Sequence, residues 1–100
     1  MKEVGIILAS GVKESKADKA VESLKEGLRK REILANVIFV NTYEHKSLLD
    51  FEDGMDMAVI AGPGKVATNL PVIQGLGLIY PWLGLEELFR EILALSDKSK

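Results

Sequence analysis

Hydrophobic and polar positions alternate along the chain in blocks of two kinds. Val4-Gly5-Ile6-Ile7-Leu8-Ala9 carries no charged side chain, and a short run rich in Val and Ile predicts a strand buried on both faces. A glycine-containing turn over residues 10–15 follows. Beyond it, Ala17, Ala20, Val21, Leu24 and Leu28 recur at a 3.6-residue period and share one face of a helix. Lys16, Lys19, Glu22, Lys25, Glu26, Arg29 and Lys30 take the other face, which reads as solvated surface. Ser15 followed by Asp18 has the form of a capping box, predicting a helix that starts there and ends near Arg31.

Residues 35–40 predict a second strand, and Asn41-Thr42 after it are turn residues able to cap a short helix over 43–49. Residues 57–61 predict a third strand, stopped sharply by Gly62-Pro63-Gly64-Lys65. Residues 71–75 predict a short fourth strand. The apolar segment 76–83, interrupted by Gly77 and Pro81, carries the single tryptophan, Trp82, and is expected to cover the end of the sheet. From Gly84 a last helix is expected, with Glu86 and Glu87 beside its positive end and Leu85, Leu88, Phe89, Ile92 and Leu95 on one face. Residues 96–100 read as a frayed polar tail.

Strand, helix, strand, short helix, strand, loop, strand and helix is an α/β succession. Right-handed crossovers leave few arrangements for it, and the expected fold is a three-layer, doubly wound sheet of four parallel strands. The strand order is 2-1-3-4, helices lie on both faces, and one domain spans residues 1–95 with a flexible tail over 96–100. That order sets the turn after the first strand beside the turn after the third, where ligand crevices of open parallel sheets form.

Composition narrows the function classes. The chain has 100 residues, 47% of them hydrophobic, and a net charge of −2, which suits one core and gives no basic footprint for nucleic acid. Cysteine is absent, so disulfides, thiolate zinc sites and thiol catalysis are excluded for the chain as it stands. No apolar run approaches the ~18 residues of a membrane span. The expectation is a cytoplasmic protein with no cofactor, no metal and no direct membrane insertion.

His45 has no second ligand at metal spacing and reads as a surface residue. The acidic run 50–56 lacks the alternating oxygens of a calcium loop and reads as a solvated turn. Candidate chemistry therefore falls on Ser10, Gly11, Val12, Lys13, Glu14, Ser15 and Lys16, a turn aimed by a helix N-terminus and suited to phosphate or another small anion. Gly62, Gly64 and Lys65 form a second loop at the same crevice. It matches neither the dinucleotide nor the phosphate-loop glycine pattern.

These residues carry a resemblance. Ile6-Ile7-Leu8-Ala9 before Ser10-Gly11, then Ala20, Glu22 and Leu24, Asp53-Gly54, Pro71-Val72-Ile73-Gln74-Gly75 and Gly84-Leu85-Glu86-Glu87-Leu88 resemble the IIB components of the bacterial sugar phosphotransferase system, nearest the galactitol-type branch. The resemblance implies a phosphocarrier. In that family a cysteine at the end of the first strand takes a phosphoryl group from a IIA phosphohistidine and passes it to a sugar held by IIC. Here Ser10 stands at the cysteine position, Lys13 where a second glycine is common, and Lys16-Ala17 where Thr-Ser is common. A serine hydroxyl without a base is a poor nucleophile at neutral pH.

Three readings stay open: a phosphocarrier domain with serine in place of cysteine, a non-catalytic IIB-like module binding an anion or a partner protein, and an unrelated doubly wound domain such as a receiver. The last is disfavoured because no acidic cluster follows the first strand.

Overall fold

The computed structural model describes residues 2–11, 13–45, 47–61, 66–75, 77 and 84–98. Four strands, β1 (Lys2–Ser10), β2 (Ile33–Asn41), β3 (Met57–Ala61) and β4 (Val72–Gln74), form one sheet in the order β2-β1-β3-β4, and every pairing is parallel. The fold is thus the α/β arrangement the alternation predicts. β1 sits inside the sheet because its run from Val4 to Ala9 has no polar side chain to offer solvent: all its residues from Val4 to Ser10 are buried.

Handedness distributes the connections. Stepping from β1 to β2 moves one way along the sheet, while β2 to β3 and β3 to β4 move the other, so right-handed crossovers must use opposite faces. The crossover helix α1 (Glu14–Arg29) accordingly takes one face, and the C-terminal helix α2 (Leu85–Lys98), which follows the last strand, packs on the same face. Leu24, Leu28, Leu88, Phe89 and Ile92 meet Val4, Ile6, Leu8, Met57 and Val59 there. On the opposite face Ile7, Ala9, Val40 and Ala58 lie under Leu48, Phe51, Met55, Val66 and Leu70. Among the described residues the helical element of that layer is one 3-10 turn, Leu49–Phe51. A lone parallel bridge between Ser47 and Ala67 ties its two segments, with Leu48 N–H donating to the Ala67 carbonyl at 2.8 Å.

Local departures from the sequence expectation have local causes. The capping box at Ser15 does not form. β1 runs to Ser10 and α1 already starts at Glu14, which places Ser15 inside the first turn, where its hydroxyl cannot cap. Lys13 is the N-cap, extended at φ −64° and ψ 154°, and its side chain makes no capping bond. The helix expected over 43–49 is replaced by a turn in which the Asn41 side-chain oxygen accepts from Tyr43 N–H at 2.8 Å and the Asn41 carbonyl from His45 N–H at 2.9 Å. Asparagine offering this local alternative is a known competitor of helix.

The last helix does not stop before residue 96. Ser96 is buried and its hydroxyl donates to the Leu93 carbonyl at 2.9 Å, and the helix continues to Lys98. Trp82 and most of segment 76–83 lie outside the described residues.

Candidate functional site

The C-terminal rim of the sheet is level across three strands: Ser10 pairs with Asn41 of β2 on one side and with Ala61 of β3 on the other. The chain leaves β1 toward the helical face and β3 toward the opposite one, so this rim holds the switch point at which open parallel sheets bind ligands. Gly62, Gly64 and Lys65 follow Ala61 directly but lie outside the described residues, as does Val12.

Ser10 is only 3% exposed. Its carbonyl accepts from Thr42 N–H at 3.0 Å, its side chain lies within the wall rather than at its surface, and it is not free of partners. Gly11 is half-buried beneath the loop after β2: a Cβ there would stand 2.8 Å from the Tyr43 ring and 3.3 Å from the Thr42 hydroxyl. The absence of a side chain is what lets the two loops close on each other.

Lys13, Ser15 and Lys16 are exposed. Glu14 begins α1, whose first intrahelical bond runs from Ala17 N–H to the Lys13 carbonyl at 2.9 Å. The first turn of an α-helix aims N–H groups outward with a partial positive charge, and two exposed lysines stand beside it. The arrangement suits an oxyanion.

Sequence reasoning missed the wall opposite. Thr42 was expected only as a turn residue and Tyr43 only in a short helix, yet they close over Gly11, and Tyr43 is 80% exposed above the rim. An aromatic residue directly after an Asn-Thr turn at a strand end was the available signal. His45 is exposed and packs edge-on to Phe51, with ring centroids 5.2 Å apart. Among the described residues no group of acidic or histidine side chains could hold a metal ion.

The acidic run is more than a solvated turn. The Asp56 carboxylate accepts from Gly5 N–H at 2.7 Å, and the Glu52 carboxylate accepts from the Thr68 hydroxyl and from Asn69 N–H. The Thr68 hydroxyl holds the Glu52 carboxyl below its ordinary pKa, with the N–H groups of Asn69 and Leu70 adding to it against a partial loss of hydration. This carboxylate anchors the segment that returns from the Gly62–Lys65 loop.

A folded-state value below the unfolded one gives stability that is present above the ordinary glutamate pKa and lost as pH falls through the folded value. Glu52→Gln, which imitates the protonated acid, should therefore unfold at lower urea than the parent at pH 7. The gap should close below about pH 4, and paired urea titrations at the two pH values measure it.

Comparison with known protein families, curated proteins and solved structures returns no match for this chain.

Proposed function

We propose that the chain is a IIB-like domain of the sugar phosphotransferase type in which Ser10 replaces the phosphocysteine and the turn over residues 10–16 holds an oxyanion or a IIA- or IIC-like partner without carrying the phosphoryl group. A cytoplasmic location follows from that reading. The observation that carries it is the rim itself: a buried serine at the end of the central strand, four residues before a helix whose N-cap, Lys13, makes no side-chain capping bond. The 2-1-3-4 parallel sheet supports the family reading, although a fold by itself hosts many activities.

The buried hydroxyl favours binding over transfer. A nucleophilic serine needs a base in hydrogen-bond reach, and the single histidine of the chain packs edge-on to Phe51 instead. A thiolate at the same position would need no base. It would attack the phosphorus of the IIA phosphohistidine, forming the S–P bond as the N–P bond breaks and the electron pair returns to the imidazole.

Incubating the parent and Ser10→Cys with a phosphorylated IIA component tests the reading. Label is expected on the variant and not on the parent. Label on neither, with both folded, removes the phosphocarrier reading and leaves the binding module. The binding half has its own readout: amide shifts at Gly11, Lys13, Ser15 and Lys16 should move on titration with phosphate, and flat shifts at millimolar phosphate would refute an anion site.

A further inference from the structure

The two edges of the sheet are built very differently. β4 is three residues long and follows Pro71, a short edge of the kind that resists pairing. β2, the other edge, runs nine residues as Ile-Leu-Ala-Asn-Val-Ile-Phe-Val-Asn, with no charge and no proline. Among the described residues it pairs with β1 alone. Leu34 on this strand is 45% exposed. An uncharged edge of this length presents a row of unpaired N–H and C=O groups and ordinarily has to be covered.

A groove runs between this edge and α1, and the charged helix residues along it are Asp18, Lys19, Glu22, Lys25, Glu26 and Arg29. Helical spacing sets Asp18, Glu22, Lys25 and Arg29 in one line on the side of Val21, with Lys19 and Glu26 rotated away toward the outer crest. The four in line, at i, i+4, i+7 and i+11, form a stripe that is acidic in its first half and basic in its second. The helix dipole favours that polarity, but the like-charged neighbours Asp18/Glu22 and Lys25/Arg29, each four residues apart, work against an isolated helix. Arg29 approaches Glu26 of its own helix only at 3.9 Å, with both side chains largely exposed.

The same stripe turned end over end complements itself. An antiparallel copy sets Asp18 against Arg29 and Glu22 against Lys25, and repeats both contacts by symmetry.

We propose that a second copy of this chain covers the β2 edge, the two strands pairing antiparallel about a two-fold axis so that the sheets join and the α1 stripes meet. The contact is isologous and closes as a dimer, without open-ended growth. Strand pairing gives the register and the charges give the orientation, since a parallel arrangement would oppose like charges along the whole stripe. The antiparallel join sends the two Ser10 rims to opposite ends of the joined sheet, leaving each accessible. The proposal does not depend on the phosphotransferase reading.

Sedimentation velocity of the full chain from micromolar to near-millimolar concentration, at low and high salt, tests it. The parent should be a dimer that weakens with salt. Glu22→Lys places lysine opposite lysine, and Lys25→Glu places acid opposite acid; each should weaken the dimer roughly tenfold or more, because symmetry counts every substitution twice. The double variant E22K/K25E should dimerise like the parent. An equimolar mixture of the two single variants should form the heterodimer, which a merely misfolded variant could not do. A parent that stays monomeric throughout the range overturns the proposal, as does a dimer indifferent to both reversals or a failure of the double variant and the mixture to recover.

Discussion

Leu24→Ala is expected to lower the unfolding free energy by about 3 kcal/mol, a large share of the 5–15 kcal/mol that roughly spans ordinary domain stabilities. Leu24 is fully buried and belongs to the cluster that joins α1 and α2 to β1 and β3. Both sides of that cluster are regular elements. A helix fixed at one end by its crossover from β1 and at the other by its return to β2 cannot collapse into the space left by three lost carbons, so most of the cavity persists.

Leu48 is equally buried on the other face, and there the cover is a 3-10 turn and loop that can follow a shrinking side chain. Leu48→Ala should therefore be the milder change. Urea unfolding with unchanged m-values measures both, and a Leu24→Ala cost below about 1 kcal/mol would mean that the helical layer is not packed as described.

The asymmetry between the two faces marks how far the sequence reaches. The helical face was legible because Ala20, Leu24 and Leu28, and later Leu88 and Ile92, recur at a period that only a helix can use. Sheet order followed from strand number, short connections and handedness, with no residue-level detail required. The other face was not legible. Its apolar cover comes from turns and loops, tied together by hydrogen bonds between distant segments, Glu52 with Thr68 and Asn69 and Leu48 with Ala67, and such pairings leave no period in the chain.

The site divides in the same way. A strand that ends in Ser-Gly ahead of a helix announces where a ligand would sit, and the structure puts that turn at the rim. That Tyr43 closes over Gly11, and that the Ser10 side chain is turned into the wall, depends on residues more than thirty positions apart along the chain. The misplaced cap at Ser15 is a smaller case: the pattern Ser-x-x-Asp was present, but α1 starts earlier, at Glu14, with Lys13 as its N-cap.

Gly5→Ala should destabilise the protein by about 3 kcal/mol, at the upper end of ordinary overpacking, while leaving the rim untouched. A Cβ at Gly5 would lie 2.6 Å from the Gly54 carbonyl oxygen and 3.0 Å from Met55 Cα. Both are backbone atoms, so no rotamer change relieves the clash. The turn they belong to is tied to the same strand, with Gly5 N–H donating to the Asp56 carboxylate at 2.7 Å and Asp56 N–H to the Gly5 carbonyl at 2.7 Å. Met55 N–H closes the turn on the Glu52 carbonyl at 2.9 Å. Moving the turn away by the needed amount stretches these bonds together, and moving β1 instead disturbs its pairing with both neighbours.

Ser10 stands five residues further along the strand, about 16 Å away at the usual rise per residue. The variant, studied below its lowered unfolding temperature, should thus show the same phosphate-induced shifts at Gly11, Lys13 and Lys16 as the parent. An unchanged stability would mean that the 52–56 turn does not rest on β1. Loss of the shifts with the fold intact would mean that the two ends of the central strand are coupled, which a strand buried from Val4 to Ser10 and paired on both sides does not lead one to expect.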